Sequence, residues 1–179
     1  MNTRPDRSEA VEYYFTYIDQ VSDGDIRDTL EAQLPEALSQ LRRVSEEESA
    51  FRYAPGKWSV REVLSHVNDA ERLFVFRAFW FARGFDTPLP SFDQDAAIIT
   101  AGAEARSWRS HVDEFAAIRA ATVTFFRDLP TEAWTRRGIA SDNPFTVRAL
   151  AWITAGHALH HARVLRERYL RGGPSYAPG

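Results

Sequence analysis

Three histidines stand at spacings that let them share one ion. The segment Gly156-His157-Ala158-Leu159-His160-His161 carries two imidazoles four residues apart. On a helix turning about 100° per residue they lie about 40° apart, on one face. That face continues through Leu150, Ile153 and Val164, so His157 and His161 are expected to point inward. His160 falls about 80° from their bisector and should flank the pair. A third donor has to come from another helix, and His66 interrupts the apolar stripe of Val63, Val67, Ala70 and Phe74. Three imidazoles with one position left open is the donor set of catalytic zinc. Nickel takes the same nitrogens, and affinity order does not choose between the two. Asp69, three residues after His66, can accept a hydrogen bond from the far nitrogen of a ligating imidazole. On spacing alone two blander readings stay open: a hydrogen-bonded core histidine at 66, and a chance pair at 157 and 161. His111 has no partner at metal spacing and is expected at the surface. Arg77, about three turns beyond His66, is expected to make a structural ion pair.

These residues need helices to position them, and helical periodicity dominates the chain. A first helix is predicted over Ser8 to Val21, ending at Ser22-Asp23-Gly24-Asp25. A second runs from Asp25 to Val44, with Pro35 expected to kink it. Ser59-Val60-Arg61-Glu62 is a capping box that opens a third helix, which ends at Arg83 before Gly84. Residues 84–105 form a long connection containing Pro88, Pro90 and Asp93, expected to be a crossover or a cover over the site. A fourth helix spans Ser107 to Leu129. Thr131 to Phe145 reads as irregular, and the last helix runs from Thr146 to Leu170. The pattern predicts an all-α fold, a four-helix bundle with long crossover connections. Residues 1–179 read as a single domain with its core over about 8–171 and a flexible tail at 172–179.

Composition narrows the partners. Lys+Arg 22 against Asp+Glu 25 leaves a net charge of -3 with no concentrated basic patch, which argues against nucleic acid. The pairs Arg42-Arg43 and Arg136-Arg137 read as solvated faces. No cysteine is present, so neither a disulfide nor a thiolate ligand is available, in keeping with a cytoplasmic protein. The first residues carry charges of both signs and no apolar core of a signal peptide. The uncharged stretch 149–162 is too short to span a bilayer, so no membrane association is expected. Phe74, Phe76, Phe79, Trp80 and Phe81 place apolar groups on more than one face of the third helix, which leaves a stripe for a homodimer partner.

The segment Lys57-Trp58-Ser59-Val60-Arg61-Glu62-Val63-Leu64-Ser65-His66-Val67-Asn68-Asp69-Ala70-Glu71, together with Gly156 to His161, resembles the DinB-like (YfiT-type) family. The resemblance runs from the turn before Asp25 to Leu170. It implies a bundle of up-down-down-up order in which His66, His157 and His161 bind one divalent metal ion, zinc or nickel. It also implies homodimerisation and a small-molecule substrate. The activity it implies first is activation of a low-molecular-weight thiol for S-transfer to an electrophile. Two alternatives stand beside it. One is a metal-dependent hydrolase in which the ion activates water, with Asp69 or Asp93 as general base. The other is a non-catalytic stress-response module whose ion is structural.

Overall fold

In a computed structural model of the protein, residues 3–170 are described; the tail expected at 172–179 lies outside them. The elements are α1 (Glu12–Ile18), α2 (Ile26–Leu41), α3 (Glu46–Ser49), α4 (Val60–Ala82), α5 (Gln94–Thr100), α6 (Trp108–Arg127), the strands β1 (Arg137–Ala140) and β2 (Asn143–Thr146), and α7 (Val147–Val164). Each long helix begins where a side chain can take up an otherwise free amide proton. Ser59 Oγ accepts from the Glu62 amide while Glu62 Oε2 accepts from the Ser59 amide at 2.7 Å, so the predicted capping box opens α4. Asp25, Ser107 and Thr146 cap α2, α6 and α7 in the same way.

Side-chain pairs give the directions of the four long helices. Gln33 on α2 meets Arg119 on α6, and Leu41 meets Trp108, so these two run antiparallel. Asn68 and Glu71 on α4 meet His111 and Arg119 on α6, which makes those two parallel. His66 lies by His161, and Phe74 by His157, so α4 and α7 are antiparallel. The order in sequence is therefore up, down, down, up. Parallel neighbours explain the long 84–105 connection. α4 has 23 residues, about 35 Å of rise, and the chain must travel back along it before α6 can start in the same direction.

Several local expectations are corrected. The first helix is shorter than Ser8 to Val21: Arg7–Glu9 is a separate 3-10 turn capped by Asp6, and α1 begins only at Glu12. The separate turn lets Glu9 bury its carboxylate, which accepts from Thr146 Oγ1 at 2.7 Å and pairs with Arg148. α2 carries Pro35 inside its Ile26–Leu41 span, where the sequence reading placed it. The 131–145 stretch is ordered, not irregular. It holds a 3-10 turn and an antiparallel hairpin reversing at Ser141 and Asp142, both with positive φ, as a tight two-residue turn requires. Leu89 pairs with that hairpin through both its amide and its carbonyl, pinning the long connection. The last helix ends in a π-helical turn at Leu165–Tyr169. No helix among the described residues is long and apolar enough to cross a membrane.

Candidate metal centre

The antiparallel contact of α4 with α7 brings His66 opposite His157 and His161. Nε2 of His66 lies 3.1 Å from Nε2 of His157. One nitrogen from each of the three rings falls within 4.8 Å of the others. Two nitrogens bound tetrahedrally to one ion at 2.0–2.1 Å would stand about 3.3 Å apart, so the spacing suits a shared cation. Nδ1 of His161 is buried and has no hydrogen-bond partner. These observations fit a late first-row divalent ion held by imidazole.

Small residues let the walls close around the cluster. Gly156 sits directly against α1, where an added Cβ would lie 2.2 Å from the Tyr17 carbonyl oxygen. That close crossing seats the Tyr17 ring against His157 at 5.2 Å between centroids, with Phe74 on another side at 5.5 Å. Trp58, from the loop before α4, lies 5.1 Å from the His66 ring. Burial pushes the His66 imidazole down to about 4, with a partial opposing pull from Asp95. Burial pushes His161 down to about 3, and the neighbouring imidazoles add to it. His157, the most enclosed, is also held well below its ordinary value, chiefly by burial. All three are neutral at pH 7 and offer lone pairs without first losing a proton.

Beneath the histidines lies a polar layer that sequence reading missed. The Arg119 guanidinium donates to both oxygens of Glu71, at 2.9 Å and 2.7 Å, and to Gln33 Oε1 at 2.6 Å. Gln33 Nε2 in turn donates to the Ala155 carbonyl at 3.2 Å. One network thus joins α2, α4, α6 and α7, and all three side chains are buried. The signal was present in the sequence: Gln33, Glu71 and Arg119 each interrupt an apolar stripe at three-to-four spacing.

Other singled-out residues lie elsewhere. His160 turns toward α1, against the Tyr17 ring and Gln20. The Asp69 carboxylate meets Arg72 at 3.5 Å, and among the described residues no hydrogen bond joins it to a histidine. Asp93 caps α5 through the amides of Asp95 and Ala96; the cover-segment carboxylate whose charge reaches His66 is Asp95. His111 is fully buried rather than at the surface, with Nε2 3.0 Å from the Ala103 carbonyl, because α6 turns it under the end of the cover segment. Arg77 makes no ion pair among the described residues. It donates to the Pro90 carbonyl and to Ser141 Oγ, tying the long connection to the hairpin. A cavity of about 370 Å³ adjoins the cluster on the His161 side.

Comparison with known proteins places this geometry among relatives. The family model described as the DinB superfamily matches residues 11–165. No curated protein matches the sequence. Among solved structures, the chain is similar to YfiT from Bacillus subtilis, described as a probable metal-dependent hydrolase with an unusual four-helix bundle topology. The TM-score is 0.71 at 19% identity, covering 93% of this chain and 91% of that one. It is also similar to a mycothiol-dependent maleylpyruvate isomerase, with a TM-score of 0.65 at 13% identity. That match covers 81% of this chain but only 61% of the isomerase.

Proposed function

The chain belongs to the DinB superfamily, and on that premise we propose that His66, His157 and His161 hold one divalent cation, zinc or nickel, in a metal-dependent hydrolase acting on a small molecule. The observation that carries this reading is the meeting of three neutral imidazoles from two helices beside an open cavity. A cation bound there supplies Lewis-acid polarisation of a water or of a substrate oxygen. The chain does the rest. Burial keeps the three rings unprotonated, and Trp58, Tyr17 and Phe74 shield His66 and His157 from solvent. The Glu71–Arg119–Gln33 layer holds α4 and α7 in the register that the rings require. The likeness to YfiT, which spans nearly all of both chains, supports hydrolysis over thiol transfer. Thiol transfer remains the second reading because the isomerase that shares the fold is mycothiol-dependent. With no cysteine of its own, the chain would need an external thiol for that reaction.

Elemental analysis should find about one divalent ion per chain, lost in His66→Ala, His157→Ala and His161→Ala and retained in His160→Ala. The metal-loaded protein should then cleave members of an ester and amide panel with no thiol present, and a chelator should abolish it. Turnover only when a low-molecular-weight thiol is supplied would replace hydrolysis by thiol transfer. No turnover under either condition would leave a structural ion.

The same reading includes a homodimer. Phe76 is 47% exposed and Phe79 38% exposed, side by side with Trp80 on the outer face of α4. Neighbouring exposed aromatics of this kind are what an apolar contact between two copies would cover. Light scattering at micromolar concentration should give twice the monomer mass, and Phe76→Glu with Phe79→Glu should halve it. A monomer in the unmodified protein would overturn the dimer.

A further inference from the structure

The cavity beside His161 is built like a ligand pocket. Its walls come from all four long helices: Leu41 at the end of α2, Leu64 and Val67 on α4, Phe115 on α6, and Ala158 on α7. About 370 Å³ falls within the roughly 300–1,000 Å³ of small-molecule sites. The wall at one end is the His161 ring itself. His157 is closed off by Tyr17 and Phe74 and His66 by Trp58, so this cavity is the side on which the cluster meets open space.

The rim is not neutral. Arg43 and Arg166 both border the cavity, and among the described residues neither guanidinium is in a hydrogen bond or ion pair. The third charged group there is Glu48, whose carboxylate accepts from the Ser45 amide at 2.8 Å in a capping box. An apolar interior with two unengaged guanidinium groups at its mouth fits a molecule with an apolar body and an anionic head. A longer neutral hydrocarbon would leave both cations unused, and an organic cation would be repelled by them.

The geometry points to this cavity as the substrate pocket, taking an anionic amphiphile whose carboxylate or similar head lies between Arg43 and Arg166 and whose apolar body extends to His161. This rests on the metal-enzyme reading only for the word substrate; the binding itself needs no metal.

The test is calorimetric titration of the full-length protein, metal-loaded and metal-free, with decanoate and with decylammonium. Decanoate should bind both forms equally, and decylammonium should bind about tenfold more weakly or not at all. Arg43→Gln combined with Arg166→Gln, at exposed positions, should weaken decanoate about tenfold, which is ~1.4 kcal/mol. Raising the salt concentration should weaken it too, because rim charges are screened. Ala162→Leu, which fills the cavity from α7, should abolish binding while leaving the metal content unchanged. Decanoate that binds only the metal-loaded form and ignores the arginine changes would place its head on the ion and overturn the proposal. Equal affinity for the two probes, or no binding of either, would also overturn it. Failure of hydrolysis in the activity assays would leave these titrations untouched, so the two readings fail separately.

Discussion

An imidazole in water holds its proton below about pH 6.5, but those at the heart of this bundle give it up far lower. Burial depresses His66 to about 4 and His161 to about 3, and His157 in the same direction. The unfolded chain therefore binds protons at these positions between about pH 6.5 and 4 that the folded chain refuses. Stability from these groups is fully present above pH 6.5 and drains away as the pH falls through that window. The melting midpoint of the metal-free protein should drop as pH is lowered from 6.5 to 4, and the drop should be shallower in His66→Ala. A flat profile over that range in the unmodified protein would mean that the rings are better hydrated than their burial indicates. Proton competition with a bound cation should likewise set in nearer pH 4 than pH 6.5.

At the scale of elements, the short helix α1 depends on one missing side chain. Gly156 lets the Tyr17 carbonyl approach α7 at a distance where no Cβ fits, and the obstructing atoms are backbone, which cannot rotate aside. Gly156→Ala should therefore lift α1 off α7 despite alanine's better helix propensity. Overpacking of this kind costs about 1–3 kcal/mol. For a domain of this size each kcal/mol lowers the melting midpoint by roughly 2–4 °C. Scanning calorimetry should show the drop, and the Tyr17 fluorescence environment should change with it. A stabilised Gly156→Ala protein would show that α1 seats elsewhere. The same contact walls in His157, so metal affinity should weaken in the variant as well.

Across the whole molecule, the Glu71–Arg119 pair with Gln33 is the only place among the described residues where hydrogen bonds join all four long helices in one connected set. Such a pair adds little net stability over an apolar replacement, but removing one partner strands a buried charge. Arg119→Met should cost about 3–5 kcal/mol, read from the urea midpoint. Glu71→Leu with Arg119→Met should recover most of that loss. Register is the property the double variant should not recover, so its metal affinity should stay below that of the unmodified protein. A double variant with unchanged metal affinity would reduce the layer to packing.

Helix geometry is local, and whatever followed from local geometry was legible in the sequence. The capping box at Ser59 and Glu62, the four long amphipathic helices, the common face of His157 and His161 and the inward stripe carrying His66 all follow from a rotation of about 100° per residue. The up-down-down-up order was legible only through family resemblance, and the structure supplies its physical trace in which side chains meet. What stayed hidden depends on which helix lies beside which. His111 looked solvent-bound until α6 packed it under the cover segment, and Arg77 looked like half of an ion pair until the chain returned Pro90 and Ser141 to it. Asp69 shares a turn with His66, yet its carboxylate meets Arg72 at 3.5 Å. The Gln33, Glu71 and Arg119 interruptions were visible one at a time. That they satisfy one another is a property of three helices brought together, since a buried polar group is tolerable only when its partner arrives from elsewhere in the chain.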